Sequence, residues 1–247
     1  MISNSDIPYC SGFCPDCGSI HSLKQGRAGE YCLELMKILE EKGRIDIHAP
    51  EERADPIFSL EYIRGEAGGQ MFGVLECIAP GGDAVFLKAF SGQYNGQWIV
   101  EGWAPPLFDA EAFDLLVDAS DKLIKDLGKK IALLFAGKER DELFRERKGL
   151  SRGLMKKIHA LYTVRNFRSG VKPLSAFFKS GIPAGAGDCC APKLLNEAAL
   201  QGLVPVGIAE IYWGRTNRSG TRKQGEFYGA CMEKCQPILG FMLCGLD

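Results

Sequence analysis

The sequence predicts an α+β fold: an antiparallel or mixed sheet, a helical insertion, and a C-terminal helix–strand–helix unit that carries a cysteine metal site. Three observations lead to this fold class. Residues 70–90 largely alternate apolar and polar side chains, which is typical of half-buried strands. Residues 109–161 place apolar side chains at helical spacing between many charges. The last part of the chain combines two helix-like segments, an apolar strand and paired cysteines.

The sheet is predicted as an antiparallel meander. Residues 80–83 read PGGD, which is typical of a hairpin turn between two alternating segments. The candidate strands of the meander are 56–64, 70–78, 84–90 and 98–103. A further hairpin is expected over 162–178, with its turn at 168–170.

Helices are predicted on both sides of the meander. Apolar spacing favours a helix from about Gly29 to Lys42 that ends at Gly43. Near the C-terminus, a helix is expected between the N-cap Asp188 and the stop residue Gly202. A last helix is expected with a cysteine pair in its first turn.

The 247 residues suffice for one large domain or two small ones, and we expect one compact globule. Its predicted parts are a cysteine-rich metal loop plus helix (1–50), the β meander (51–108), a helical, basic insertion (109–161) and a cysteine-bearing α/β unit (162–247).

Ten cysteines occur in a chain with no apolar signal at its start and no run of about 18 apolar residues. These features predict a cytoplasmic protein that does not span a membrane. In a reducing compartment, clustered cysteines indicate metal binding or catalysis before they indicate disulfides.

The C-terminal cysteines form the first candidate metal site. Cys189 and Cys190 are expected at the start of one helix, and Cys231 and Cys235 at the start of the next. Helix N-termini favour the thiolate, which is the form that binds metal. Three or four thiolates fit tetrahedral zinc, with a [4Fe–4S] cluster as the alternative.

The N-terminal segment YCSGFCPDCGSIH is the second candidate. Cys10, Cys14, Cys17 and His21 supply four donors at short spacing, and the glycine after Cys17 permits a tight turn. The sequence is compatible with two separate ions and with one ion shared by the two groups. The isolated cysteines are interpreted as small core residues: Cys32, Cys77 and Cys244.

The C-terminal layout resembles the core of the zinc-dependent nucleobase and cytidine deaminases, in which two helices around a strand carry the ligands and a catalytic Glu. Two departures are visible. Pro192 stands where the Glu after Cys190 belongs, and three residues separate the second cysteine pair. Glu210, inside an apolar strand, is a candidate replacement base, and a salt bridge is the equally open alternative.

A basic stretch follows the acidic first half of the chain. Residues 1–121 carry 8 basic and 20 acidic side chains, whereas residues 122–172 carry 15 and 5. Phosphate backbones attract such a stretch, and a solvated helix face is the other interpretation. The candidate RNA-binding residues are Arg152, Lys156, Lys157, Arg165 and Arg168.

The segments GIPAGAGDCCAPKLL, GIAEIYWG and FYGACMEKCQPIL resemble the N-terminal accessory region of long-form RNA pseudouridylate synthases. The resemblance extends over about residues 56–243, but the synthase domain is missing, so it implies no pseudouridine synthesis here. It adds Asp188 and Lys193 to Glu210 as candidate catalytic residues. The matching positions are Asp188, Cys189, Cys190, Lys193, Glu210, Cys231, Lys234 and Cys235.

Three functions are therefore open from the sequence. The leading one is a metal-binding protein associated with RNA modification that contacts structured RNA. The second is a metal-dependent enzyme acting on a nucleobase-type small molecule, by deaminase-like hydrolysis or by iron–sulfur redox or sulfur chemistry. The third is a structural zinc scaffold for protein interactions.

Overall fold

The computed structural model describes residues 9–232 and 234–246. The chain divides into two compact units. The first contains the chain up to Leu107, the segment Val164–Lys172 and the chain from Pro183 onward. The second contains Phe108–Thr163 and Pro173–Ile182.

The structure is a mixture of helices and antiparallel strands, as predicted. The strands are β1 (Cys10–Cys14), β2 (Ser19–Leu23), β3 (Gln70–Ile78), β4 (Ala84–Phe90), β5 (Thr163–Arg165), β6 (Val171–Pro173), β7 (Val204–Trp213) and β8 (Phe227–Tyr228). The α-helices are α1 (Ala28–Lys42), α2 (Glu61–Arg64), α3 (Ala110–Leu133), α4 (Lys138–Leu161), α5 (Cys190–Gln201) and α6 (Gln236–Met242).

A four-stranded sheet forms the centre of the first unit. Its strand order is β4-β3-β7-β8, and each neighbouring pair is antiparallel. The long strand β7 lies inside this sheet, and its residues 207–212 are all buried. Helices α1 and α5 both pack on β3 and β7, and α6 packs on α5 and on the β1–β2 hairpin. The sheet therefore brings the N-terminus of α5 and the start of α6 within reach of one another.

The core lies between α1 and the sheet. Cys32, Met36 and Leu39 on α1 are buried in the same cluster as Phe72 of β3 and Ile211 of β7. These α1 residues recur every three or four positions, which places them on one helical face. The predicted helix over this segment is confirmed, and Gly43 ends it in the left-handed conformation with φ 66°.

The predicted strand 56–64 is wrong, because local side-chain caps bend this segment. Asp55 accepts a hydrogen bond from the Ile57 N–H (2.9 Å), and Ser59 Oγ accepts one from the Glu61 N–H (3.2 Å). Such short-range bonds compete with strand pairing. The segment forms a 3₁₀ turn at Pro56–Phe58 followed by α2.

The predicted strand 98–103 is also absent from the described part of the chain. The segment folds into a turn in which the Trp103 N–H donates to the Val100 carbonyl (3.1 Å). The Trp103 indole N–H donates to the Ile45 carbonyl (2.9 Å). These two hydrogen bonds fix Trp103 in a turn and not in a strand. The neighbouring strand predictions, 70–78 and 84–90, are confirmed as β3 and β4.

Helices α3 and α4 pack against each other and make up most of the second unit. Asp109 caps α3 by accepting a hydrogen bond from the Ala112 N–H (3.0 Å). The predicted helical, basic insertion is thus two long helices separated by residues 134–137. Among the described residues, no helix is both apolar enough and long enough to cross a bilayer.

A contact between two glycines seats α6 on the first hairpin. A Cβ on Gly12 would overlap the Gly240 backbone nitrogen and lie 2.9 Å from its Cα, and a Cβ on Gly240 would overlap the Phe13 backbone. We therefore expect Gly12→Ala to lower the free energy of unfolding by about 1–3 kcal/mol, since the backbones must separate. Chemical denaturation measures this change.

Gly81→Ala is the matched control for Gly12→Ala. Its added Cβ would meet only the Asp83 carboxylate, at 3.8 Å. Equal stability of the two variants would contradict the close approach of α6 and β1.

Candidate metal centres

The three-cysteine group consists of Cys189, Cys231 and Cys235. Their sulfur atoms all lie within 4.8 Å of one another, which is close enough for one ion. Cys189 is the N-cap of α5, and Cys235 is the N-cap of α6. The prediction that Cys231 and Cys235 lie in the first turn of a helix is wrong, because α6 begins at Gln236. A turn closed by the Gln236 N–H and the Cys231 carbonyl (3.0 Å) brings the two sulfurs together instead.

The position of Cys189 depends on close packing of α5 against β3. A Cβ on Gly73 of β3 would lie 2.7 Å from the Cys190 Cβ, so only glycine permits this approach. Cys190 then points at the sheet, where its thiol donates to the Met71 carbonyl (3.4 Å). Adjacent residues at a helix start point in different directions, which leaves Cys189 alone to join the other two cysteines.

The three-cysteine group favours a thiolate at Cys231. Hydrogen bonds from Cys189 and Cys235 hold the pKa of Cys231 well below its ordinary value. The same bond to Cys231 raises the pKa of Cys189. A thiolate is thus stabilised inside the cluster, and thiolate is the form that ligates metal.

A cavity of about 270 Å³ opens beside these cysteines. Its polar and sulfur-bearing lining residues are Asp188, Cys189, Glu210, Arg222, Cys231 and Lys234. Glu210 is only 4 % exposed, and its Oε1 accepts a hydrogen bond from the Ala191 N–H (3.0 Å). Burial raises the pKa of Glu210 to about 8, against the opposing effect of that hydrogen bond. A carboxyl group, two thiols and charged side chains therefore face one small space.

Lys193 lies next to this site without lining the cavity. Its ammonium group donates to the carbonyls of Phe90 (3.0 Å) and Gly92 (2.7 Å), and it lies 4.7 Å from the centre of the Phe90 ring. Burial lowers its pKa to about 8. Lys193 holds the segment after β4, and Gly92 of that segment donates its N–H to the Asp188 carbonyl (2.7 Å).

The second group consists of Cys14, Cys17, His21 and Cys244, whose donor atoms also lie within 4.8 Å of one another. The Cys17 sulfur is 3.0 Å from His21 Nε2 and 3.7 Å from the Cys244 sulfur. The hydrogen bond with His21 lowers the pKa of Cys17 to about 6. The β1–β2 turn brings the first three together, with Gly18 at φ 71° and its N–H donating to the Cys14 carbonyl (2.9 Å).

Three of the four expected ligands belong to this group, and Cys244 takes the place expected for Cys10. Cys10 lies outside this group, because residues 10–14 form a strand and four residues of strand span about 13 Å. Cys244, expected only as a core residue, is buried and supplies the fourth donor. No local spacing could reveal it, since 227 positions separate it from Cys17.

Both donor sets suit zinc. Thiolate and imidazole are its usual protein ligands, and four of them in tetrahedral arrangement are typical of structural sites. The group at the β1–β2 hairpin has four donors, and the three-cysteine group has three. The two sets are distinct, which answers the question of one shared ion in favour of two candidate centres.

The candidate RNA-binding residues are divided between the two units. Arg152, Lys156 and Lys157 are exposed on α4, whereas Arg165 lies on β5 and Arg168 in the turn that follows. A cleft of about 720 Å³ in the second unit is lined by Lys148, Arg152, Lys156, Met155, His159 and Ile182, among others.

Comparison of the chain with protein-family models, with curated proteins and with solved structures finds no match. The functional assignment therefore rests on the geometry of the two centres.

Proposed function

We propose that the protein is a metal-dependent hydrolase of the deaminase type, which replaces an amino group on a nucleobase-sized heterocycle by oxygen. The observation that carries the proposal is the cavity that joins the three-cysteine group to Glu210. A structural site needs four donors and no cavity. A hydrolytic site needs three protein ligands and a proton carrier facing the substrate.

Cys189, Cys231 and Cys235 would hold the metal. A zinc ion bound there would supply Lewis acidity and lower the pKa of a coordinated water molecule. The side chains need only hold the ion, shape the cavity and move protons.

Glu210 is the proposed proton carrier. In the zinc deaminases the catalytic Glu follows the first ligand by two residues. With Cys189 as that ligand, the equivalent position here is Ala191, which has no carboxyl group. Glu210 on β7 brings its carboxylate to within 3.0 Å of the Ala191 nitrogen. We infer that the strand supplies the carboxylate that the helix lacks.

The reaction would be a hydrolysis. A water oxygen bonds to the ring carbon that carries the amino group, the carbon–nitrogen bond breaks, and ammonia leaves. Glu210 would take one proton from the attacking water and return it to the departing amine. Asp188, Arg222 and Lys234 line the same cavity and would orient the polar edges of the ring. The α5–β7–α6 order, with ligands at both helix starts, supports the deaminase-type interpretation.

The test is ammonia release from zinc-loaded protein by a panel of amino-substituted heterocycles: cytosine, adenine, guanine, and their nucleosides and nucleotides. Mass spectrometry of the products checks for exchange of an amino group for oxygen. We expect turnover of at least one base. Zinc-loaded protein with an intact three-cysteine site and no ammonia release from the whole panel would contradict the proposal.

We also propose that α4 contacts structured RNA, which would associate the protein with RNA modification. The exposed cations of α4 and the basic cleft beside them support this second function, as does the resemblance to the pseudouridylate synthase accessory region. Replacing Arg152, Lys156 and Lys157 by Glu should weaken binding of a structured RNA at low salt by at least tenfold. The slope of log K against log salt should become shallower, because fewer phosphates are neutralised.

The matched control reverses three lysines of α3: Lys122, Lys125 and Lys129. Two of them already pair with carboxylates, Lys125 with Asp121 and Lys129 with Asp126, so they should contribute less to phosphate binding. Filter binding or fluorescence anisotropy measures both variants. Equal losses in the two variants would indicate a general charge effect and no contact surface on α4.

A further inference from the structure

We infer that the four-ligand group Cys14–Cys17–His21–Cys244 is a structural zinc clasp, and that it holds the ligand Cys235 of the other centre in place through α6. The clasp itself is independent of the proposed enzymatic function. The coupling rests on the proposed role of Cys235.

The donor set is complete in itself. Four donor atoms lie within one coordination sphere, and Cys14, His21 and Cys244 are buried. Four protein ligands saturate tetrahedral zinc, so no position remains for water or substrate. This group can therefore stabilise the fold but cannot perform the hydrolysis.

The fourth donor comes from the far end of the described chain, and it is held there independently of any metal. The Phe167 N–H donates to the Cys244 carbonyl (3.1 Å). Lys172 pairs with Asp16 of the β1–β2 turn (2.5 Å), and its ammonium group lies 5.1 Å from the centre of the Phe241 ring. A zinc ion on these donors would lock the hairpin to the segment after α6.

Helix α6 connects the two centres. Cys235 is its N-cap, and Cys244 follows two residues after its last residue, Met242. Gly12 and Gly240 bring the helix into backbone contact with β1. A helix of this length is about 10 Å long and moves as a rigid piece. If the clasp opens, α6 keeps its glycine contact with β1 but loses the link through Cys244. Cys235 at the start of the helix is then held less firmly beside Cys189.

The experiment compares Cys244→Ser with Cys77→Ser, since Cys77 is also buried but lies outside both groups. Zinc content is measured by elemental analysis, and the alkylation rate of Cys235 by mass spectrometry of labelled peptides. We expect Cys244→Ser to lose the clasp zinc and to raise the alkylation rate of Cys235 at least tenfold. Cys77→Ser should retain the zinc content and the slow Cys235 alkylation of the unmodified protein.

The reverse variant separates the clasp from the enzymatic proposal. Cys231→Ser should lose the other zinc but retain slow hydrogen exchange in residues 10–23 and 236–242. Full zinc content in Cys244→Ser would overturn the clasp, and so would iron with sulfide in place of zinc. Loss of clasp zinc with unchanged Cys235 alkylation would overturn the coupling. None of these measurements depends on turnover.

If Cys244→Ser does not fold, metal-free unmodified protein replaces it. Zinc is then added stepwise while hydrogen exchange is followed. We expect residues 10–23 and 236–242 to become protected together on addition of zinc. Protection of α6 before the hairpin would overturn the inference.

Discussion

Cys189→Ala removes the metal of the three-cysteine group and abolishes ammonia release, whereas Cys190→Ala, one residue further along the chain, retains both. This contrast is the first result we expect. Cys189 has its sulfur within 4.8 Å of the two partner sulfurs, and Cys190 buries its thiol against the Met71 and Ala89 carbonyls. Two remaining thiolates hold zinc far more weakly than three, so metal content should fall by about one equivalent.

Zinc content and ammonia release, measured on the same preparations, test this contrast. Both substitutions remove one sulfur from adjacent positions, so differences in folding are kept small. Cys190→Ala should lower stability by about 1–2 kcal/mol, because it leaves a small void between α5 and the sheet. Loss of metal from Cys190→Ala, with Cys189→Ala unaffected, would show that Cys190 is the ligand and would contradict this prediction.

Glu210→Gln should lower the turnover number by about 10²- to 10⁴-fold while leaving the metal in place. The amide keeps the shape of the side chain and can still accept the hydrogen bond from Ala191, but it cannot carry a proton. Single-turnover measurement of ammonia release on zinc-loaded protein gives the effect on the chemical step. Elemental analysis of the same sample shows whether the metal is retained.

Glu76→Gln provides the control for Glu210→Gln. Glu76 is also a nearly buried carboxylate on the central sheet, but it accepts from the Arg27 N–H (3.0 Å) and pairs with the Arg27 guanidinium (3.6 Å). Its substitution should cost stability and leave the turnover number close to that of the unmodified protein. Equal turnover of Glu210→Gln and unmodified protein would remove Glu210 from the mechanism.

The elements that could be predicted from sequence are those whose pattern decides their structure locally. The alternation over 70–78 and 84–90, with PGGD between the two segments, corresponds to β3 and β4. The spacing over 28–42, closed by Gly43, corresponds to α1. The segment 56–64 has a similar apolar content, but Asp55 and Ser59 cap turns within it, and these hydrogen bonds outweigh the pattern.

The candidate metal centres could be predicted only in part, for two physical reasons. Cys10 was expected as a ligand because its segment was interpreted as a loop, whereas the extended strand carries Cys10 away from Cys14. Cys244 was assigned to the core because its partners are distant in sequence. The choice between Cys189 and Cys190 depends on which one faces the sheet, and that is decided by the packing of Gly73 against α5.

The long separation between Cys17 and Cys244 has a consequence during synthesis of the chain. A ribosome that adds about 5–20 residues per second needs roughly 10–45 s to pass from the first of these cysteines to the second. Translation must advance by 227 positions from Cys17 before the fourth donor exists. Cys14, Cys17 and His21 emerge before Cys244 and lack their fourth partner throughout that interval, exposed to oxidants and to competing metals. The nascent hairpin is therefore sensitive to the redox state and metal supply of the cell in which it is made.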